Sequence, residues 1–505
     1  MSISELLELG ADLAPAIGAP DRDDLNYAGL RAHIRAIGHQ LAALGVGANE
    51  RIAIILPNGP EMATCFLAVA AHACAAPLNP AYREEELDFY ISDLRARVLI
   101  VAKDMPTPAR AVAERHGCRV VELIPSPAAP AGMFTLDVTG AARAPAQPAS
   151  ADAEALVLHT SGTTSRPKIV PLTGANLTAS AAHIAETLAL TPGDRCLNIM
   201  PLFHIHGLVA AVLASLRAGA SVHCTPGFDA LKVFRWFDEV KPTWYTAVPT
   251  MHQAILARAG RNPDVVERLK LRFIRSSSSS LPPQVMTELE ATFKCPVIEA
   301  YGMTEASHQM ASNPLPPRPR YPGSVGIAAG PEVAIMDSEG RLQPAGTEGE
   351  IVIRGPNVTA GYENNPKANA EAFVHASGGR WFRTGDQGVM DSQGYLRITG
   401  RIKEIINRGG EKVAPREVDE VLMDHPAVAQ AVTFAIPHPK LGEEVGAAVV
   451  LREGMEATDQ ELRNFAAQRL ADFKVPRRVL LLDEIPKGAT GKLQRIGLAE
   501  KLGLA

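Results

Sequence analysis

The run Ala155-Leu156-Val157-Leu158 has the aliphatic character of a buried strand. Two residues later the chain reads Thr160-Ser161-Gly162-Thr163-Thr164-Ser165-Arg166-Pro167-Lys168. Small residues let backbone N–H groups converge, hydroxyls add donors, and the lysine adds a point charge, which is how a loop holds polyphosphate. The stretch is not a Walker A loop: G-x-x-x-x-G-K-[ST] requires glycine before the lysine, and Pro167 stands there. A polar turn after a strand has the same composition. From these residues alone both readings stay open.

Outward from this stretch, Arg51–Leu56, Val98–Val101, Cys196–Met200 and Pro296–Glu299 also read as strands, and Tyr27–Leu44, Met62–Ala71 and Gly174–Leu188 read as helices. Such alternation predicts α/β units with largely parallel sheets. The Pro- and Ala-rich residues Ile124–Ser150 predict a surface connection. From Pro331 to Gly400, short strands with Gly turns (Gly349–Arg354, Gly394–Thr399) predict an antiparallel unit. Beyond Gly400, strands at Ala429–Ala435, Gly446–Leu451 and Arg478–Leu482 with a helix at Asp459–Leu470 predict a small α+β domain. A chain of 505 residues exceeds a single core. The expected architecture is α/β: a large N-terminal domain (1–400) of α/β subdomains plus a β-rich subdomain, then a small mobile α+β C-terminal domain (401–505).

Fifty Lys and Arg stand against fifty-five Asp and Glu, so no global basic field recruits nucleic acid. The six cysteines are scattered, without a C-x-x-C pair or zinc spacing, and read as small buried hydrophobes in a reducing compartment. No apolar stretch reaches the roughly 18–20 residues of a membrane span. The first residues lack the basic region of a signal peptide, and Gly503-Leu504-Ala505 is not a peroxisomal signal. A cytoplasmic protein without a membrane partner is the expectation.

Four further clusters carry chemistry. In Tyr301-Gly302-Met303-Thr304-Glu305 an aromatic face can stack on a purine, a hydroxyl can meet a phosphate and a carboxylate can hold Mg²⁺; a strand-to-helix turn capped by Thr304 uses the same residues. In Thr384-Gly385-Asp386 the carboxylate can accept both hydroxyls of a ribose, or bond its own backbone as turn aspartates commonly do. The stretch Gly400–Lys412, with Arg401, Lys403, Gly409 and Gly410, reads as a hinge or as a solvated linker. Lys492, in Pro486-Lys487-Gly488-Ala489-Thr490-Gly491-Lys492, sits on backbone loose enough to reach a distant anion, although most terminal lysines are only solvated.

In this order, and over essentially the whole chain, the five clusters resemble the acyl-adenylate-forming superfamily: acyl- and aryl-CoA ligases, firefly luciferase and the adenylation domains of peptide synthetases. The resemblance implies two half-reactions with ATP, Mg²⁺ and CoA. A carboxylate attacks the α-phosphorus to give an acyl-adenylate and pyrophosphate, and a thiol then displaces AMP. It implies that Thr160, Ser161, Gly162, Thr163, Thr164 and Lys168 hold the β- and γ-phosphates. Tyr301 would stack on adenine, Thr304 would contact the α-phosphate, Glu305 would ligate Mg²⁺, and Asp386 and Arg401 would bind ribose. Lys492 would bridge the attacking carboxylate and the α-phosphate. Rotation of the small domain about Lys403 would then exchange Lys492 for the Gly409–Gly410 turn lining the thiol tunnel. Ser165 and Ile169 depart from the glycines many members carry beside the phosphate loop.

The acid is read from three regions: Pro201-Leu202-Phe203-His204-Ile205-His206-Gly207, the serine run Ser276–Ser280 after Arg275, and Ala306-Ser307-His308-Gln309-Met310. A long fatty acid needs an apolar tunnel and a small dianion needs convergent donors. His204 is widespread in the superfamily and is expected to gate the pocket. His206, Ser277, Ser278 and His308 form a polar set, with His308 on the same face as Glu305 if that segment is helical. A structural role for each remains open, above all for the lone His308. As a set they resemble the oxalate–CoA ligases, a likeness that Ser165 shares and that Gly302 and Ile169 weaken. The expectation is an ATP-dependent acid–CoA ligase acting on oxalate. A short- or medium-chain fatty acyl-CoA or aryl-CoA ligase stands second, a carrier-loading adenylation unit is disfavoured by the lack of a carrier domain, and a non-catalytic nucleotide-binding module stands last. Oligomeric state is not encoded in any of these motifs.

Overall fold

The computed structural model describes residues 1–138, 145–160, 167–487 and 493–504. Two sheets of parallel strands organise the first 330 residues. One has seven strands, ordered Phe134–Leu136, Arg119–Pro125, Val98–Ala102, Arg51–Ile55, Cys74–Pro77, Glu154–Thr160 and Lys168–Thr173. Its inner pairs are parallel and its two edge pairs antiparallel. The other has nine, ordered Ile327–Ala328, His308–Ser312, Val297–Met303, Phe273–Ser277, Trp244–Ala247, Arg195–Asn198, Ser221–Cys224, Pro15–Ala19 and Arg22–Asn26.

Helices buried between the sheets hold them together. From Met62 to His72 every residue of the helix Pro60–His72 is buried, as is every residue from His206 to Leu213. A helix apolar on all sides must be covered on all sides, and one continuous core joins these helices to strands of both sheets. Local signals set the boundaries: Asn26 caps Tyr27–Ala43 by accepting from the Gly29 N–H at 2.8 Å, and Thr173 with Asn176 forms a capping box for Gly174–Thr187.

An antiparallel five-stranded sheet spans Glu332–Met336, Glu348–Arg354, Phe373–Ala376, Gly379–Met390 and Leu396–Arg401. A separate five-stranded sheet, Ile406–Arg408, Glu411–Val413, Val428–His438, Gly442–Leu451 and Arg478–Leu481, has cores built only from residues after Ile406. Arg416 of its helix Pro415–Met423 donates to the Ile398 carbonyl at 2.8 Å, and Gln253 Nε2 donates to the Ala429 carbonyl at 2.9 Å.

Three sequence expectations need correction. Residues 124–150 are not a bare connection: Phe134–Leu136 pairs with Arg119–Pro125, and Phe134 and Leu136 are core residues. The strand read at Cys196–Met200 ends at Asn198, whose Oδ1 accepts from the Met200 N–H at 3.1 Å and turns the chain. No helix follows Glu305. Thr304–Ala306 is one 3₁₀ turn, Ser307 and His308 adopt positive φ, and His308–Ser312 runs back as a strand against Val297–Met303. Thr304 therefore caps no helix, and His308 is not on a helix face shared with Glu305. All six cysteines are buried and free, and among the described residues no helix is long and apolar enough to cross a membrane.

Candidate active site

The site lies where the strands of the nine-stranded sheet end, and alternation decides which side chains reach it. In the parallel pairing Thr246, Arg275 and Ile298 stand side by side, as do Ser276 and Glu299 one step on and Ser277 and Ala300 the next. Neighbours in register share a face. The serine run therefore divides. Ser276 lies with Glu299 on the opposite face from Arg275; Ser277 gives its hydroxyl proton to the Ala300 carbonyl at 2.9 Å; Ser278, past the strand end at φ +72°, turns its hydroxyl to His206. Ser277, read as substrate-binding, thus spends its donor on the backbone. A positive φ on a serine and on His308 (φ +101°) costs of order 1–3 kcal/mol each, and such strain clusters at ligand sites.

His206 opens a π-helical segment, His206–Leu213, a rare geometry that recurs at functional sites. Its Nδ1 is 3.1 Å from Ser278 Oγ, its Nε2 is 2.6 Å from Thr246 Oγ1, and its ring centroid is 5.0 Å from that of His308. His206, Ser278 and His308, separated widely in sequence, meet. His204 accepts from the His206 N–H through Nδ1 at 3.2 Å and is only half-buried, as a residue at the mouth would be. A cleft of about 400 Å³ opens beside this loop, lined by Asn58, Met62, Leu78, Tyr82, Leu202 and Phe203; the histidine–serine set lies outside its lining.

Gly302 makes the return of His308 possible. A Cβ there would lie 2.0 Å from the His308 carbonyl oxygen, so only glycine allows the two strands to approach.

The residues that the sequence reading assigned to the nucleotide form a second group. Tyr301 lies in the strand Val297–Met303, which extends past the expected Glu299. Its hydroxyl donates to Asp386 Oδ2 at 2.5 Å, while Arg401 Nε donates to Asp386 Oδ1 at 2.9 Å. Asp386 and Arg401 face each other in register. Burial, then the Asp386 charge, push the Tyr301 hydroxyl well above its ordinary pKa, and the Asp386 charge raises that of Arg401.

Glu305 is buried in the 3₁₀ turn and accepts from the Tyr362 hydroxyl at 2.8 Å; its pKa is raised by burial, against the lowering effect of that bond. Lys168 Nζ stands 4.5 Å from the centre of the Tyr362 ring, so the lysine and Glu305 sit on one aromatic residue. Thr160 pairs in register with Lys168 of the neighbouring antiparallel strand, and Ser161, Gly162, Thr163 and Thr164 follow Thr160 in the sequence. Those four and Lys492 lie outside the described residues. Among the described residues no three or more His, Cys, Asp or Glu side chains group as a metal site; a carboxylate such as Glu305 suits Mg²⁺ bound jointly with phosphate oxygens rather than in a protein cage.

Lys403 is exposed in the turn Ile402–Glu404, and Gly409 (φ +59°) and Gly410 (φ +99°) form the tip of the hairpin Ile406–Val413, a geometry glycine favours. Sequence reasoning did not find Thr246 or Tyr362, and it quoted Arg275 and Gln309 only as neighbours of the serine run and of His308 without a role; only the sheet brings the four in.

A large α/β domain with a nucleotide-type constellation at its strand ends, joined to a small α+β unit, defines the class. The chain belongs to the AMP-binding enzyme family: that family's model matches residues 13–363, and the model of the AMP-binding enzyme C-terminal domain matches 417–492. It is similar to the oxalate–CoA ligase of Arabidopsis thaliana, 44% identical with 98% of this chain and 97% of the relative covered. The oxalate–CoA ligase of Saccharomyces cerevisiae is 42% identical, with 89% and 86% covered. ATP-bound MatB from Rhodopseudomonas palustris superposes with a TM-score of 0.88 at 30% identity over 99% of each chain.

Proposed function

We propose that this protein is an AMP-forming acid–CoA ligase that activates oxalate. The observation that carries the acid is the meeting of buried His206 and His308 with half-buried Ser278 at the strand ends, where an apolar acyl chain would need an apolar wall. The near full-length similarity to two oxalate–CoA ligases supports the same acid.

In the first half-reaction one oxygen of the acid attacks the α-phosphorus of ATP and pyrophosphate leaves. Two anions must come within bonding reach, and fixed cations in a water-poor site remove their repulsion. Lys168, Thr160 and the loop Ser161–Thr164 hold the β- and γ-phosphates; Thr304 contacts the α-phosphate; Lys492 bridges acid and α-phosphate. Tyr301 flanks adenine, and Asp386, oriented by Arg401, accepts from the ribose hydroxyls. Glu305 holds Mg²⁺, which neutralises phosphate charge when bound. In the second half-reaction CoA thiolate attacks the acyl carbon and AMP leaves. The small domain, taken as residues 401–505 after a large domain of 1–400, turns about Lys403 between the two, replacing Lys492 with the Gly409–Gly410 turn. His204 gates the acid pocket. Six buried free thiols suit a cytoplasmic setting.

The test is AMP release by the purified protein with ATP, Mg²⁺ and CoA, comparing oxalate, malonate, acetate and octanoate. Preference for oxalate is expected. Preference for octanoate would keep the two-step chemistry and return His206, Ser278 and His308 to structural roles; ATP binding without pyrophosphate release for any acid would reduce the protein to a nucleotide binder.

A further inference from the structure

Behind the histidine–serine set lies a cation with no counterion among the described residues. Arg275 is fully buried in the middle of the nine-stranded sheet, on the face it shares with Trp244 and Phe273. Among the described residues it makes no ion pair, and its Nε has no hydrogen-bond partner. Its Nη2 donates to Gln309 Oε1 at 3.3 Å and its Nη1 lies 3.5 Å from Thr246 Oγ1. Burial pushes its pKa down to about 9, still charged at neutral pH. An uncompensated buried guanidinium is costly, and a fold retains one where something else gains from the charge.

The bonds around it have a direction. Arginine can only donate. A Thr246 hydroxyl that accepts from Arg275 has its one proton left for His206 Nε2, 2.6 Å away. With His206 carrying its proton on Nδ1 and giving it to Ser278 Oγ at 3.1 Å, the Ser278 proton is left for a bound acid.

We propose that Arg275 is a positioning residue for acid selection: through Thr246 and His206 it fixes Ser278 as a hydrogen donor and supplies the buried positive charge that makes the pocket prefer an acid with a second negative charge. The inference rests on the small-dianion reading above and adds the residue that enforces it. Gln309, anchored by Nε2 donation to Thr187 Oγ1 and the Ala329 carbonyl, both at 3.1 Å, holds the guanidinium from the other side.

The experiment compares oxalate with glyoxylate, a monoanion of nearly equal size, in wild type, Arg275→Met, Arg275→Lys and Thr246→Val. Arg275→Met is expected to raise KM for oxalate about tenfold or more, with kcat changed about threefold or less. KM for ATP stays unchanged, the melting temperature is equal or higher, and the oxalate-over-glyoxylate preference collapses by the same factor as KM. Arg275→Lys restores part of that preference because it restores the charge. Thr246→Val keeps the arginine but cuts the relay and is expected to lower the preference too; it decides the matter if Arg275→Met does not fold. An oxalate-over-glyoxylate ratio within about twofold of wild type in Thr246→Val and in every folded Arg275 variant, or an equal loss on both acids in Met and Lys variants, would overturn the proposal. Wild type alone tests the oxalate reading, since its acid panel needs no variant; the variant-to-wild-type ratio tests Arg275.

Discussion

The Tyr301 hydroxyl donates to Asp386 Oδ2 at 2.5 Å, tying the end of a strand in the nine-stranded sheet to a strand of the antiparallel sheet. Asp386 is further held by Arg401, so its carboxylate is aimed from two sides. Asp386→Ala is expected to raise KM for ATP about tenfold to a hundredfold, the weight of a charge-assisted bond to ribose. Tyr301→Phe leaves the Arg401 bond in place and should cost only a few-fold. Equal KM for ATP in wild type and Asp386→Ala, measured by pyrophosphate release, would remove Asp386 from the nucleotide site.

His206→Ala and Ser278→Ala test the acid pocket directly. Each is expected to lower kcat/KM for oxalate about tenfold to a hundredfold while KM for ATP holds, because a desolvated carboxylate loses a donor. Unchanged turnover in both variants is what a fatty acyl–CoA ligase would give.

Glu305 must be ionised to hold a cation, and burial raises its pKa. Adenylation should therefore fall as pH drops through that raised value. The Tyr362 hydroxyl bond opposes the rise, so Tyr362→Phe should move the acid limb of the kcat/KM profile to higher pH. A limb at the same pH in both proteins would separate Glu305 from the titration.

Glu299 offers a stability test away from the chemistry. It is fully buried, its Oε1 accepts from the Leu281 N–H at 3.0 Å, and burial raises its pKa from 4.5 to about 7. The native state holds this proton between those values and the unfolded chain does not. The resulting stabilisation is complete below pH 4.5 and is lost as pH rises to 7, about 3 kcal/mol in all. Glu299→Gln removes the titration, so its melting temperature should exceed that of wild type above pH 7 and lose the advantage near pH 5. A difference between the two proteins that does not vary with pH would contradict this.

Under the proposed two-step mechanism, Lys492→Ala should cripple acyl-adenylate formation yet spare thioester formation from supplied acyl-adenylate. An equal loss in both would defeat the rotation about Lys403.

Much of the fold was legible because local chemistry repeats it. Strand boundaries at Arg51–Ile55 and Val98–Ala102 and the helices Tyr27–Ala43 and Gly174–Thr187 fall within a residue of the sequence reading, since aliphatic runs and capping residues act over a few positions. The turn after Glu305 was misread, because Ser307 and His308 take positive φ that no helical pattern announces, and the returning strand packs against Gly302 where a Cβ would clash.

The motif residues Thr160, Tyr301, Glu305, Asp386 and Arg401 could be singled out one by one, because the chemistry proposed for each lies in its own side chain and short spacing. What tertiary structure alone decided is which of them touch, and what stands behind them. Sequence could not separate Ser276, Ser277 and Ser278; strand alternation sends them to three different fates. Nor could it mark Arg275, whose meaning comes from being enclosed without a carboxylate among strands that meet only when the sheet forms. Desolvation is a property of the folded surroundings, and it turns an ordinary arginine in a strand into a buried charge.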